Sequence, residues 1–184
     1  MSAIMSYRRI RLEQLAQLID APWSVYDWLD ADAATLEYDS HRSWGPDVMW
    51  HILHYVLNGE AWGGEEPLWN AVLGGGPFWE GAITEDRPGH FITNAAAIGE
   101  VVRYLVPNQV KEVARALDQL NEIELRRRFS ISAMLKADIY SVLPRDEPDE
   151  ETLFREEFMF TFTQIKEMFQ ETAQANDGVL IYLA

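Results

Sequence analysis

Two of the four histidines in this 184-residue chain, His51 and His54, stand three residues apart in a segment of helical periodicity. Imidazoles at that spacing share a helix face, where they can hold a metal together or pass a proton. Asp47 lies one turn earlier and could orient His51. Glu65, Glu66, Asp86 and His90 could add ligands from loops. The zincin pattern His-Glu-x-x-His is absent, so Asp47, His51 and His54 are weak metal candidates and no metal is assigned. The plainer alternative is a solvated helix face, or a structural hydrogen bond from His54.

Tryptophan is the second source of chemistry. All seven, Trp23, Trp28, Trp44, Trp50, Trp62, Trp69 and Trp79, lie in the first half. Several neighbour glycine and proline, as in an aromatic-lined cleft for a planar or sugar ligand. Trp50, Trp62 and Trp69, with His51, are the candidate binding residues. Against this stands the common use of large aromatics as core plugs under long loops.

Charge and composition narrow the partners. Acidic residues number 30 and basic residues 15, a net charge of −15. Phosphate backbones and anionic membranes need a basic surface, so nucleic acid and membrane are not expected partners. No cysteine is present, which removes disulfides, thiol nucleophiles and zinc–thiolate sites. No Walker A loop, dinucleotide fingerprint or nucleophile elbow occurs, so no cofactor is expected. The acidic stretch from Asp146 to Glu157 lacks the central glycine of a calcium loop and reads as a helix start. Arg126-Arg127-Arg128 is read as an intramolecular partner of nearby acids. With no signal peptide and no membrane-length apolar run, a cytoplasmic location is expected.

These residues need a scaffold. Ala3 to Ile10 reads as a strand. Leu12, Leu15, Ala16 and Ile19 predict an amphipathic helix ending near Asp20. Trp23 to Leu29 predicts a short helix, and residues 30–47 a loop. From Asp47 to Asn58, at 100° per residue, Val48, Met49, Ile52, Leu53, Val56 and Leu57 form one apolar arc. Asp47, His51, His54 and Asn58 fall opposite, so both rings are expected to face outward. Gly59 suits a C-terminal cap, and Pro67 to about Leu73 predicts another short helix. Glu100 to Leu105 reads as a strand, Pro107 opens a helix, and Asn121 and Ser130 cap the next two. A long helix ends at Asn176-Asp177-Gly178, and Val179 to Leu183 reads as a buried strand. The sum is one α/β domain over residues 1–184, helix-rich, with a small mixed sheet flanked by helices.

Several strings resemble the YfbM-like family, a bacterial domain of unknown function. Trp50, Leu53, His54, Leu57 and Gly59 are similar to its Trp-x-x-Leu-His-x-x-Leu-x-Gly signature. Further blocks are Pro67-Leu68 with Ala71 to Gly74, Tyr104 to Pro107 with Val110, Glu124 to Arg126 with Phe129, Ile139-Tyr140, and Asp177 to Tyr182. The resemblance implies a single α/β domain and no activity. Val106 replaces the family's usual threonine, which removes a side-chain helix cap. His51 departs from the family pattern and leaves His54 as the better single candidate.

Two functions follow as expectations. The first is a non-catalytic binding protein for a small molecule or a basic protein. The second is a hydrolase or lyase with His54 as general acid or base in a tryptophan-rimmed cleft.

Overall fold

The computed structural model describes residues 4–35, 43–47, 49–78, 102–140, 142 and 148–183. The last apolar run forms β5, Gly178–Leu183. It pairs antiparallel with β1, Met5–Ile10, from Met5↔Leu183 to Ile10↔Gly178. β4, Arg103–Leu105, lies on the other side of β5. With β2, Ser43–Asp47, and β3, Gly76–Pro77, the strand order is β2-β1-β5-β4-β3. The two edge strands carry Pro46 and Pro77, and proline cannot donate to a further strand.

The expected mixed sheet is corrected to an antiparallel one, since every described pairing is antiparallel. The apolar run needs cover on both faces, not parallel neighbours, and it has that cover. Val179 and Ile181 join the larger core, while Leu180 faces a smaller one. The smaller core is closed by α1, Leu12–Asp20, and α2, Val25–Thr35, through Leu15, Leu18, Val25 and Leu29. The opposite face carries α3, Trp50–Asn58, α4, Pro107–Gln119, α5, Glu122–Arg128, α6, Ile131–Lys136, and α7, Pro148–Gln174. There the rings of Tyr7 of β1 and Phe169 stand in a T-shaped arrangement, with centroids 6.3 Å apart.

Local capping chemistry sets several boundaries. Asn121 and Ser130 accept from the backbone N–H groups of Ile123 and Ala133. Val106 has no side-chain acceptor for α4, but Gln109 still accepts from the Val106 N–H at 3.1 Å, half of a reciprocal cap. All three arginines of the basic run pair with acids: Arg126 with Glu156, Arg127 and Arg128 with Glu124.

Two stretches differ from expectation. Residues 43–47 form a strand rather than a loop. Gly45-Pro46 imitates a turn signal, yet a Cβ on Gly45 would stand 2.7 Å from the Met5 carbonyl oxygen, so the glycine serves close strand approach. The expected helix from Pro67 to Leu73 contracts to a 3-10 turn at Trp69–Ala71. Among the described residues, no helix is long and apolar enough to cross a membrane.

Candidate functional site

The histidine helix is buried almost all round. Trp50, His51, Ile52, Leu53, His54, Val56 and Leu57 are all buried, and both histidines have 0% exposure. The expectation of outward-facing rings is therefore corrected. The reason is tertiary: the chain after Gly59 folds back over the polar side of α3 and covers it. Gly59 permits this reversal as a left-handed C-cap with φ 79°. Asp47 is also displaced from its expected place. It ends β2, in register with Met5, rather than lying one helical turn before His51.

Hydrogen bonds define the state of each ring. The Tyr140 backbone N–H donates to Nδ1 of His51 at 2.8 Å, and Nε2 lies 2.7 Å from the Ala61 carbonyl oxygen. A backbone N–H can only donate and a carbonyl can only accept, so His51 is neutral with its proton on Nε2. His54 repeats the pattern. Its Nε2 lies 2.8 Å from the Gly63 oxygen, and its Nδ1 lies 3.3 Å from the Asn58 amide nitrogen. That nitrogen also donates to the His54 carbonyl at 3.1 Å, which orients the amide. Burial lowers both pKa values; His54 falls to about 4 despite its bond to Gly63. Each of the four ring nitrogens is thus occupied. Among the described residues, no group of three or more histidine and carboxylate side chains is placed to hold a metal. Glu65 and Glu66 are exposed, and Asp86 and His90 lie outside the described residues.

The candidate tryptophans separate into two places. Trp50 is buried, with ring centroids 4.9 Å from His51 and 5.9 Å from Tyr140 in stacked arrangements. The Trp62 ring is tilted against His51, with centroids 4.3 Å apart, lies 6.2 Å from the Trp50 ring and remains partly exposed. Trp69 instead lines a cleft of about 840 Å³. Trp79 lies outside the described residues.

That cleft runs between the end of α3, the segment from Glu60 to Trp69, and the last turn of α4. Its deeper lining includes Leu57, Leu68, Trp69 and Leu120, and the exposed carboxylates of Glu60, Glu65 and Glu66 stand at its rim. His54 does not line it; Asn58, which bonds His54, does.

A buried arginine escaped the sequence reading. Arg103 on β4 donates to the carbonyls of Val72, Leu73 and Gly74 and has 2% exposure. Burial pulls its pKa down to about 10. Beside it the Tyr7 hydroxyl donates to the Ala71 carbonyl at 2.8 Å, and burial pushes that phenol upward. Together they serve four successive carbonyls of the turn that follows Trp69. The signal was present: in a strand, Arg103 shares a face with the fully buried Leu105.

Residues 1–182 match a family described as a domain of unknown function, DUF1877. The chain belongs to the DUF1877 family. The solved structure of YfbM from Escherichia coli, a protein of unknown function, is similar over 98% of this chain and 99% of that one. The TM-score is 0.69 at 18% identity, a likeness of fold. No curated protein matches the chain. In this DUF1877 member the residues carrying the resemblance have structural places. Trp50, Leu53, His54 and Leu57 are buried in α3, and Gly59 is its left-handed cap.

Proposed function

We propose that this DUF1877 member is a cytoplasmic, non-catalytic binding protein. Its site is the cleft between α3 and α4, and its ligand is a basic segment of a partner protein. The observation that carries this reading is the cleft's lining. Leu57, Leu68, Trp69 and Leu120 offer an apolar floor below the carboxylates of Glu60, Glu65 and Glu66. A lysine or arginine side chain matches that pairing, with its aliphatic stem on the floor and its charge at the rim. The net charge of −15 favours encounter with a cationic partner.

The alternative reading, a hydrolase or lyase using His54, draws less support. A general base needs a free nitrogen within reach of substrate. The His54 ring is fully buried, is bonded at both nitrogens and does not line the cleft.

The test is calorimetric titration with a hexa-arginine peptide at 20 and 200 mM salt, beside a hexa-glutamate control. Binding of the basic peptide alone is expected, weakening at least fivefold at the higher salt and again in the Glu65→Gln/Glu66→Gln double variant. Equal affinity of that double variant and wild type would remove the cleft from the reading.

A further inference from the structure

Three polar residues of α3, His51, His54 and Asn58, meet three residues of the segment that walls the cleft. His51 binds the Ala61 carbonyl and His54 the Gly63 carbonyl. Asn58 packs against Gly64, where an added Cβ would stand 2.4 Å from its Oδ1 and 2.7 Å from its Cγ. Gly64 has φ 146°, a backbone region that side chains disfavour. Asn58 also holds His54 at Nδ1, so the second and third contacts are mechanically linked. These anchors fall between Glu60 on one side and Glu65 and Glu66 on the other, the carboxylates at the cleft's rim.

From this juxtaposition we infer that His51, His54 and Asn58 are positioning residues for the cleft: they set the path of residues 60–66 and with it the spacing of the three carboxylates. None of the three presents its ring or amide as a reacting group. They act through backbone carbonyls and through a glycine that admits no side chain. The two histidines suit this task because a neutral imidazole is rigid. It carries one donor and one acceptor at fixed directions, so it can bridge two partners: the Tyr140 N–H and the Ala61 carbonyl for His51, the Asn58 amide and the Gly63 carbonyl for His54. Pre-shaping a binding rim in this way removes the ordering cost that a loose loop would add on association. The importance of the rim for a ligand rests on reading the cleft as the binding site; the control of its path by these residues does not.

The experiment therefore reads both. Cleavage after Glu60 and Glu65 by a glutamate-specific protease is followed by mass spectrometry for wild type, His54→Ala, His54→Gln, Asn58→Ala and the core variant Ile165→Val, which controls for general loss of stability. Hexa-arginine affinity is measured on the same samples. His54→Ala and Asn58→Ala are expected to speed cleavage in 60–66 at least tenfold and to weaken the peptide at least fivefold. His54→Gln, which keeps a donor for Gly63, should recover part of both, and Ile165→Val should move neither. If His54→Ala does not fold, Asn58→Ala and His54→Gln carry the comparison. Unchanged cleavage in 60–66, or an equal rise in the Ile165→Val control, overturns the inference. Faster cleavage with no peptide binding by wild type upholds the positioning role and removes the basic ligand instead.

Discussion

Tyr140 donates its backbone N–H to Nδ1 of His51 across 89 positions of sequence, at 2.8 Å. With Ala61 on the opposite nitrogen, His51 ties the segment after α6 to the segment after α3. His51→Ala leaves a backbone donor and a backbone acceptor without partners and opens a space between Trp50 and Trp62. A loss of about 3–5 kcal/mol is expected in urea unfolding. His51→Phe refills the space without restoring either bond and should remain about 2 kcal/mol below wild type. Full recovery by phenylalanine would show that packing alone sets the cost.

Histidine burial makes stability fall in acid. His54 is neutral in the fold, with its pKa pushed down to about 4 from 6.5. The unfolded chain takes up a proton near 6.5, before the fold does, so this contribution is complete above that pH. It declines as pH falls and is lost by about 4. The full decline amounts to about 3 kcal/mol, of which about 2 has gone by pH 5. His51 shifts in the same direction. The stability lost between pH 7 and pH 5 in urea unfolding should therefore be about 2 kcal/mol smaller in His54→Gln than in wild type. An identical pH response in both proteins would contradict the buried neutral ring.

Arg103 reaches three carbonyls from two guanidinium nitrogens, a forked spread that one ammonium nitrogen does not reproduce. Arg103→Lys keeps the charge but is expected to cost about 3 kcal/mol or more, because a buried cation then sits with incomplete partners. For a chain of this size that is a fall of roughly 6–12 °C in melting temperature. Wild-type melting in Arg103→Lys would mean that charge, not the forked geometry, is what the turn requires.

Gly74 has no room for a methyl group. An added Cβ would stand 2.0 Å from Oδ1 and 2.5 Å from Cα of Asn70, and the latter is backbone that cannot step aside. Asn70 is itself engaged, accepting from the Gly75 N–H at 3.1 Å. Gly74→Ala should lower stability by about 1–3 kcal/mol in chemical denaturation, whereas Gly63→Ala, which meets only the end of the Glu60 side chain, should cost less.

Features written in local chemistry are legible in the sequence itself. Asn121 and Ser130 cap helices because their side chains reach N–H groups two or three residues on. Gly59 ends α3, and Asn176, with φ 58°, helps end α7, because each adopts a backbone conformation few residues accept. The acids that answer Arg126, Arg127 and Arg128 were readable from charge balance. The burial of His51 and His54 was not. Periodicity reports the apolar side of a helix and is silent on what folds over the other, and here the cover comes from 59–66 and from Tyr140. Asp47 was misassigned because Gly45-Pro46 hides a strand. Trp69 lines a cleft, whereas Trp50 lies in the core, and the sequence does not separate the two because an indole serves either setting.

The partnership of β1 with β5 has a consequence for biosynthesis. Residues 5–10 leave the ribosome first among the strands, yet their central neighbour, residues 178–183, emerges last. Until then the nascent chain carries a half-built sheet whose middle position stands vacant, and any bystander strand of suitable pattern can occupy it. Chaperone demand during translation should accordingly be set by the wait for residues 178–183, and a ribosome stalled shortly before them would hold a chain with its helices available but its centrepiece missing.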